Sequence, residues 1–587
     1  MLLLTALAVV VRLAWVLLVP TRPVGDFAMY LESARYLVEH GRLDPEFIYM
    51  PGYVWMAAGV YALGGGLLAV KMIGVAAGGL ATAAVYGMAR AVFGRPSAIA
   101  AGLLCALWPA GIAVSSVTGT DMPAAALLAL AVWVLVALAP RRPLGAPAAF
   151  GFVTGLSVYI RAIALPLAAL AALHFRARGA RWLHVLTRTT AAVLVALLLL
   201  LPWGIRNHRR YGEFFLTDSH GGHTALVGAN PDSEGTYSRS LNRLFTEGTG
   251  YSLFKPPHRE SDRVAYALAM HWTRVSPGYA LGLLIAKADR LMGRERSLLY
   301  WPLYRQSVLP EGNWFDAHRA GVERLVDGFY AVLMALALVG VVAAAARRNW
   351  PALSLLPLPV ALIGVYTLFF AEVRYHLAIV ALLLPFAGAG LVWTVGATVD
   401  AVSRQGSRRR LAREAAVAAA AVAALFVGWP RLVSAGERLR ARDRWAVCVC
   451  RVRGANRLCD VVPAGKPPAA PSPVRGVWDG FGLTLAAPSA AASWQVALPA
   501  GRYRVSFLAE LAPPGAAPAG LAVQANGTPL AEAALAPGAT SVTISGLVAH
   551  GGGNLQLFVT GTRGICEQNC TTPTIWMSGI DIETDID

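Results

Sequence analysis

Long apolar runs alternate with short, arginine-rich connections over residues 1–430, falling near 1–20, 66–88, 98–117, 122–139, 147–175, 185–203, 326–345, 351–370, 374–395 and 413–430. Most of these runs hold about 18–25 residues, enough to cross a hydrocarbon core of about 30 Å as helices. The run 147–175 is too long for one crossing and is interrupted by Arg161, which predicts two helices meeting near that arginine. About eleven transmembrane helices follow from this pattern.

The period changes further on. Residues 431–473 form a charged connector and a Pro/Ala-rich linker, and from 474 to 587 segments such as "SWQVALP", "RYRVSFLAEL" and "NLQLFVTG" alternate apolar with polar residues between Gly, Pro and Asn. That is the pattern of antiparallel strands in a β-sandwich. The expected fold is a polytopic α-helical membrane domain over 1–430, with outer loops at 21–65 and 204–325, followed by the linker and an all-β domain over 474–587.

Composition agrees: 56% of residues are hydrophobic, 14% are charged and the mean hydropathy is +0.53. The net charge of +18 does not point to nucleic acid, because residues 464–587 carry −3 and the remaining +21 lies largely in short connections. Arg90 and Arg95, Arg141 and Arg142, Arg176 to Arg188, Arg347 and Arg348, and Arg404 to Arg413 lie on one side. By the positive-inside rule that side is cytoplasmic. The N-terminus then lies inside, while Asp26, residues 204–325 and the C-terminal domain lie outside the cytoplasmic membrane. The first run has no basic start and no small-x-small cleavage site, so it is read as a retained span.

Cys105 falls within an apolar run and reads as a small core residue. Cys566 and Cys570, in "CEQNC", lie on the outer side, where oxidation would pair them, whereas Cys448, Cys450 and Cys459 form an odd set with open pairing. Their spacing does not suit zinc.

Asp26 directly follows the first span. A solvated loop acid is one account of it; another is a cap on an amphipathic helix whose Tyr30, Ala34 and Leu37 share its face. Asp121 opens a later span on the same side, as a site acid or as a plain helix cap. Candidate cations there are Lys71, Arg161, Arg206 and Arg374. An arginine between two apolar segments is costly unless it lines a site, which singles out Arg161. Arg206 could anchor the interface beside Trp203, and Lys71 could snorkel. In the loop 204–325, His220 and His223 flank two glycines in "SHGGHT", spaced like ligands or sugar contacts but equally suited to polar surface, and Asn230 and Asp232 follow.

Several stretches together resemble the GT-C glycosyltransferases of the protein O-mannosyltransferase and aminoarabinose-transferase superfamily: "GDFAMYLESARYL", "YMPGYVWMAAGVYALGG", "SVTGTDMPAAALLAL", "GLSVYIRAIALPLAALAAL", "PWGIRNHRRYGEF" with "GGHTALVGANPDSEGTY", and "AEVRYHLAIVALLLPFAG". The resemblance covers roughly residues 1–430. It implies a polyprenyl-phosphate sugar as donor and an extracytoplasmic glycan, glycolipid or protein as acceptor. Asp26 would be the base of a single inverting displacement, with Asp121 beside it. Arg161, Arg374 with Tyr375, Arg206 and Lys71 would hold the phosphate, while Tyr30, Asn230, Asp232, His220 and His223 would shape the binding loops. No cofactor is required by the sequence, and a divalent cation is compatible with the family. Residues 474–587 resemble jelly-roll carbohydrate-binding modules. A lipid-linked glycan flippase, polymerase or transport component without sugar transfer is the alternative, and a binding or anchoring protein a third. The Ala, Arg and Gly bias suggests a GC-rich bacterial genome and an undecaprenyl or decaprenyl carrier.

Overall fold

The computed structural model describes residues 1–138, 145–165 and 167–230; residues up to 403 except 231–232, 234, 236–240, 243–244, 247–248, 256 and 276; residues 408–442; and, beyond these, the strands of the C-terminal region. The chain divides into two compact units, Met1–His220 with Ile285–Ser434, and Gly221–Leu284 with Ala435–Asp587.

The first unit is helical. Among the described residues six helical stretches are long and apolar enough to cross a membrane: Leu67–Val92, Asp121–Leu138, Trp182–Tyr211, Arg319–Ala346, Trp350–Leu368 and Val373–Thr398. Shorter apolar helices occupy Leu2–Leu18, Arg95–Ala106 and Gly145–Ile160. The break expected at Arg161 is present. Helix Gly145–Ile160 ends there, Arg161 is extended at φ −147° and ψ 122°, and a 3-10 turn Ala162–Ala164 precedes helix Leu167–Ala177.

Between lipid-embedded helices the driving force is close packing, so small residues mark the crossings. A Cβ on Gly340 would stand 1.9 Å from Phe386 O, and one on Gly390 2.0 Å from Leu336 O, so helices Arg319–Ala346 and His376–Ser403 touch backbone to backbone. The first helix is held differently. Arg12, fully buried, donates to Ala8 O at 3.1 Å, Ala106 O at 3.2 Å and Cys105 O at 3.1 Å. Arg12 lies inside an apolar run rather than at its edge, and it is satisfied by carbonyls at the end of helix Arg95–Ala106.

In the second unit, helix Gly221–Gly228 packs against helix His258–Val275, and Asp262 accepts the Gly222 amide at 2.6 Å, closing the helix start. The C-terminal strands are joined mainly antiparallel, as their alternation predicted. The two longest, Ala491–Ala512 and Val542–Arg563, pair along most of their length. Ala519–Ala525 and Thr528–Leu535 form a hairpin across Asn526 and Gly527, both at positive φ, 49° and 79°, as a two-residue turn demands. Hydrogen bonds link eight strands into one sheet.

Candidate active site

The loop after the first helix begins with a conformational constraint. Gly25 sits at φ 59° and ψ −134°, a backbone state that residues with a Cβ avoid, and helix Asp26–His40 starts immediately after it. Asp26 therefore does not cap the helix as expected. Gly25 occupies the cap position, no side chain bonds the free amides there, and the carboxylate is left to face elsewhere. The helix buries Phe27, Leu31 and Ala34, with Leu31 and Ala34 packing beside Phe47, Tyr53 and Val54 of the loop and of helix Gly52–Ala62. Tyr30 and Leu37 pack on the same cluster, as the helical spacing implied.

The carboxylate turns to Arg374, whose Nη2 donates to Asp26 Oδ2 at 3.4 Å. A second pair stands beside it: Arg161 Nη2 donates to Asp121 Oδ1, and its Nε to Thr120 Oγ1 at 3.0 Å. Tyr375 joins the two. Its ring lies 4.3 Å from the Arg161 guanidinium and 5.5 Å from that of Arg374, and it stacks on Tyr366 at 4.9 Å. Phe27 and Trp301 complete an aromatic surround of Arg374, at 5.3 and 5.9 Å.

The two pairs differ in burial, and this separates their energetics. The Asp26 side chain is 53% exposed, so its pair with Arg374 contributes at most about 1 kcal/mol after solvent screening. Asp121 is 4% exposed, and breaking a buried pair costs about 3–5 kcal/mol because the remaining charge is stranded. Arg374 is thus exchangeable and Arg161 committed. Arg374 also keeps a buried Nε without a hydrogen-bond partner among the described residues. The charges reach into the loop 21–65. Burial first and the Asp26 charge second push the phenols of Tyr30 and Tyr49 above their ordinary range, so both stay protonated donors at neutral pH.

The other sequence candidates have separate surroundings. Lys71 does not snorkel. It is buried and donates to Thr21 O at 2.8 Å, pinning the start of the loop that follows the first helix. Arg206 lies over the Trp203 ring at 4.4 Å and donates to Asn207 Oδ1 at 3.0 Å, so it serves its own motif. That Pro-Trp-x-x-Arg-Asn motif folds the chain back. Trp203 Nε1 donates to Thr217 O, and Asn207 Nδ2 to Phe215 O and Thr217 O, at 2.9–3.1 Å. The return brings Ser219 N to Ile48 O at 3.3 Å and the His220 ring to 4.9 Å from Tyr49. His223, by contrast, is fully buried with Nε2 2.9 Å from Ser261 Oγ, and Asn230 Nδ2 is bonded to Leu226 O and Val227 O. Asp232, Cys566 and Cys570 lie outside the described residues. Among the described residues no three His, Cys, Asp or Glu side chains gather as a metal site. Asp26 and Asp121 each face an arginine.

Sequence reasoning missed Trp301, Tyr366, Glu295, Lys287 and His376. The last stands next to Tyr375 in "VRYHL", and a histidine opening an apolar span was a signal available for it.

With this geometry the class is that of a polytopic membrane protein with a charged site where the loop after the first helix meets the ends of two broken helical runs. Residues 47–205 match the family of dolichyl-phosphate-mannose-protein mannosyltransferases, which agrees with the GT-C resemblance in the sequence. Among solved structures, the Archaeoglobus fulgidus oligosaccharyltransferase in its apo form is similar at TM-score 0.42 and 16% identity, over 75% of this chain and 56% of that one. The same enzyme has been solved with zinc and sulfate, TM-score 0.42 at 15% identity, over 75% of this chain and 53% of that one. ArnT from Cupriavidus metallidurans bound to undecaprenyl phosphate is similar at TM-score 0.35 and 18% identity, over 68% and 79%. The chain thus spans little more than half of the oligosaccharyltransferase. No curated protein matches its sequence.

Proposed function

We propose that this protein is a membrane glycosyltransferase that moves a sugar from a polyprenyl-phosphate donor to an extracytoplasmic glycan, glycolipid or protein acceptor by a single inverting displacement. The observation that carries this reading is the contrast between the two carboxylate–guanidinium pairs around Tyr375. A donor phosphate entering beside Arg374 takes its guanidinium from Asp26, at little cost because that pair is weak. The Asp26 carboxylate, released, accepts the proton of the acceptor hydroxyl. The acceptor oxygen bonds the anomeric carbon as the bond from that carbon to the phosphate oxygen breaks, and the departing charge rests against Arg374. Arg161, fixed by Asp121 and Thr120, holds Tyr375 and the local positive field in place. Tyr30, Tyr49 and His220 form an aromatic shelf beside Asp26 suited to an acceptor sugar. No step is routed through a divalent cation. Hexose or pentose, and the acceptor, are to be read from the assay.

The experiment measures release of free polyprenyl phosphate from a panel of polyprenyl-phosphate sugars by the purified protein, with an envelope fraction as acceptor. Acceptor-dependent release that vanishes in Asp26→Asn is expected. Donor binding without turnover in the wild type, or full turnover in Asp26→Asn, overturns the assignment and favours lipid-linked glycan transport.

A further inference from the structure

Three ionisable side chains that this chemistry leaves unused are buried in the first unit: Lys287 at 2% exposure, and Glu295 and His376 at 0%. Burying such groups costs several kcal/mol unless each is partnered, so three of them around one chain segment call for a reason other than core filling.

Each is partnered, and the partners share a location. Lys287 Nζ donates to Phe369 O at 2.9 Å. His376 Nδ1 stands 2.9 Å from Leu291 O and its Nε2 3.1 Å from Glu295 Oε1, while its ring stacks on Tyr330 at 5.3 Å. Nδ1 opposite a carbonyl carries a hydrogen. Glu295 also accepts from Trp108 Nε1 through both oxygens, at 3.0 and 2.8 Å. Phe369 and His376 are the two ends of the segment that carries Arg374 and Tyr375. That segment interrupts the helices Pro357–Leu368 and His376–Ser403 with only a 3-10 turn, Val373–Tyr375, of its own. Lys287 and Leu291 lie one turn apart near the end of helix Pro277–Leu291, and Glu295 opens the next turn. Six residues beyond Glu295, Trp301 reaches the Arg374 guanidinium.

We propose that Lys287, Glu295 and His376 are positioning residues: they clamp the Arg374 segment at both ends and set where its guanidinium stands. The consequence for donor binding rests on the function proposed above, whereas the clamp itself can be tested without it. Glu295→Gln keeps an acceptor for Trp108 while removing the charge opposite His376. Hydrogen exchange of residues 369–376 should quicken in this variant while the transmembrane helices exchange as in the wild type. Unchanged exchange in the segment, or acceleration spread through the whole unit, overturns the clamp. Lys287→Met loosens the other end and is read in the same way where Glu295→Gln fails to fold.

The link to Arg374 is tested by a double-mutant cycle on binding of undecaprenyl phosphate. Glu295→Gln should weaken binding about tenfold or more, since small misplacements of a binding group cost up to about a hundredfold, and should have almost no further effect once Arg374 is Ala. Equal fold losses in both backgrounds overturn a role through Arg374. A wild type that binds no undecaprenyl phosphate, with exchange responding as expected, leaves the clamp standing and defeats the proposed function.

Discussion

Asp26 and Asp121 are the same chemical group within one site, yet burial assigns them opposite mutational signatures. In Asp121→Asn the Arg161 guanidinium loses its counter-charge in a place with little water. The full penalty for stranding a buried charge is about 3–5 kcal/mol. Here Asn still accepts one hydrogen bond, Thr120 still accepts from Nε at 3.0 Å, and the Tyr375 ring 4.3 Å away stabilises the cation, so about 2–3 kcal/mol is expected. Asp26→Asn removes a half-exposed partner of Arg374 and should cost under about 1 kcal/mol. Thermal unfolding in detergent separates the two: Asp121→Asn should lower the melting temperature by about 2–4 °C while Asp26→Asn stays within about 1 °C. Added undecaprenyl phosphate should restore part of the Asp121→Asn loss, because an anion returns to the neighbourhood of Arg161. Turnover should show the reverse order, abolished in Asp26→Asn and reduced in Asp121→Asn. The reasoning is refuted if Asp26→Asn is the less stable variant, or if Asp121→Asn matches the wild-type melting temperature.

Three further outcomes follow from positions already described. Gly25→Ala forces a Cβ into φ 59° and should cost roughly 1–3 kcal/mol of local strain, seen as a fall in kcat larger than any rise in KM because Asp26 is displaced. Burial depresses the Lys287 ammonium to about 7, so the unfolded chain binds more protons between about 7 and the ordinary lysine value. Its contribution to stability therefore rises with pH across that window. Lys287→Met should flatten the rise in melting temperature between about pH 7.5 and 9.5, and a parallel pair of curves would contradict it. Gly340→Ala places a methyl group 1.9 Å from Phe386 O, so the helix crossing must open; a melting temperature and yield equal to the wild type would show that the crossing is not tight.

What the sequence made legible followed from strong one-dimensional signals. Helix-length apolar runs, the interruption at Arg161 and the period-two alternation after residue 474 each correspond to an element in the structure. Arg161 stands out because an arginine between two apolar segments is costly, and Asp26, Asp121, Arg374 and Tyr375 by their place in the stretches that carry the GT-C resemblance; the structure brings these five together. The errors came from partners far apart in sequence. Lys71 looked like a snorkelling lysine because nothing near it reveals that its ammonium reaches Thr21 O, 50 residues away. The helix start at Asp26 was assigned to its carboxylate, although the glycine before it carries the backbone geometry. Glu295 and His376 are separated by 81 positions, and no periodicity couples them. His220 and His223 looked like a pair, yet the helix starting at Gly221 buries one of them against Ser261.

Arg12 bears on how such a protein is made. Two of its three acceptors, Cys105 O and Ala106 O, belong to a segment synthesised more than 90 residues after it. During translation the first helix emerges with a guanidinium at its middle and only Ala8 O of its own turn to satisfy it. Placing an arginine at the centre of a lone helix costs about 2.5–3.5 kcal/mol on insertion scales, so this helix has reason to stay beside the insertion machinery, or shallow in the bilayer, until residue 106 arrives. Its departure into lipid is then coupled to the folding of helix Arg95–Ala106. An Arg12→Leu chain would leave early, inserting more readily and assembling less faithfully.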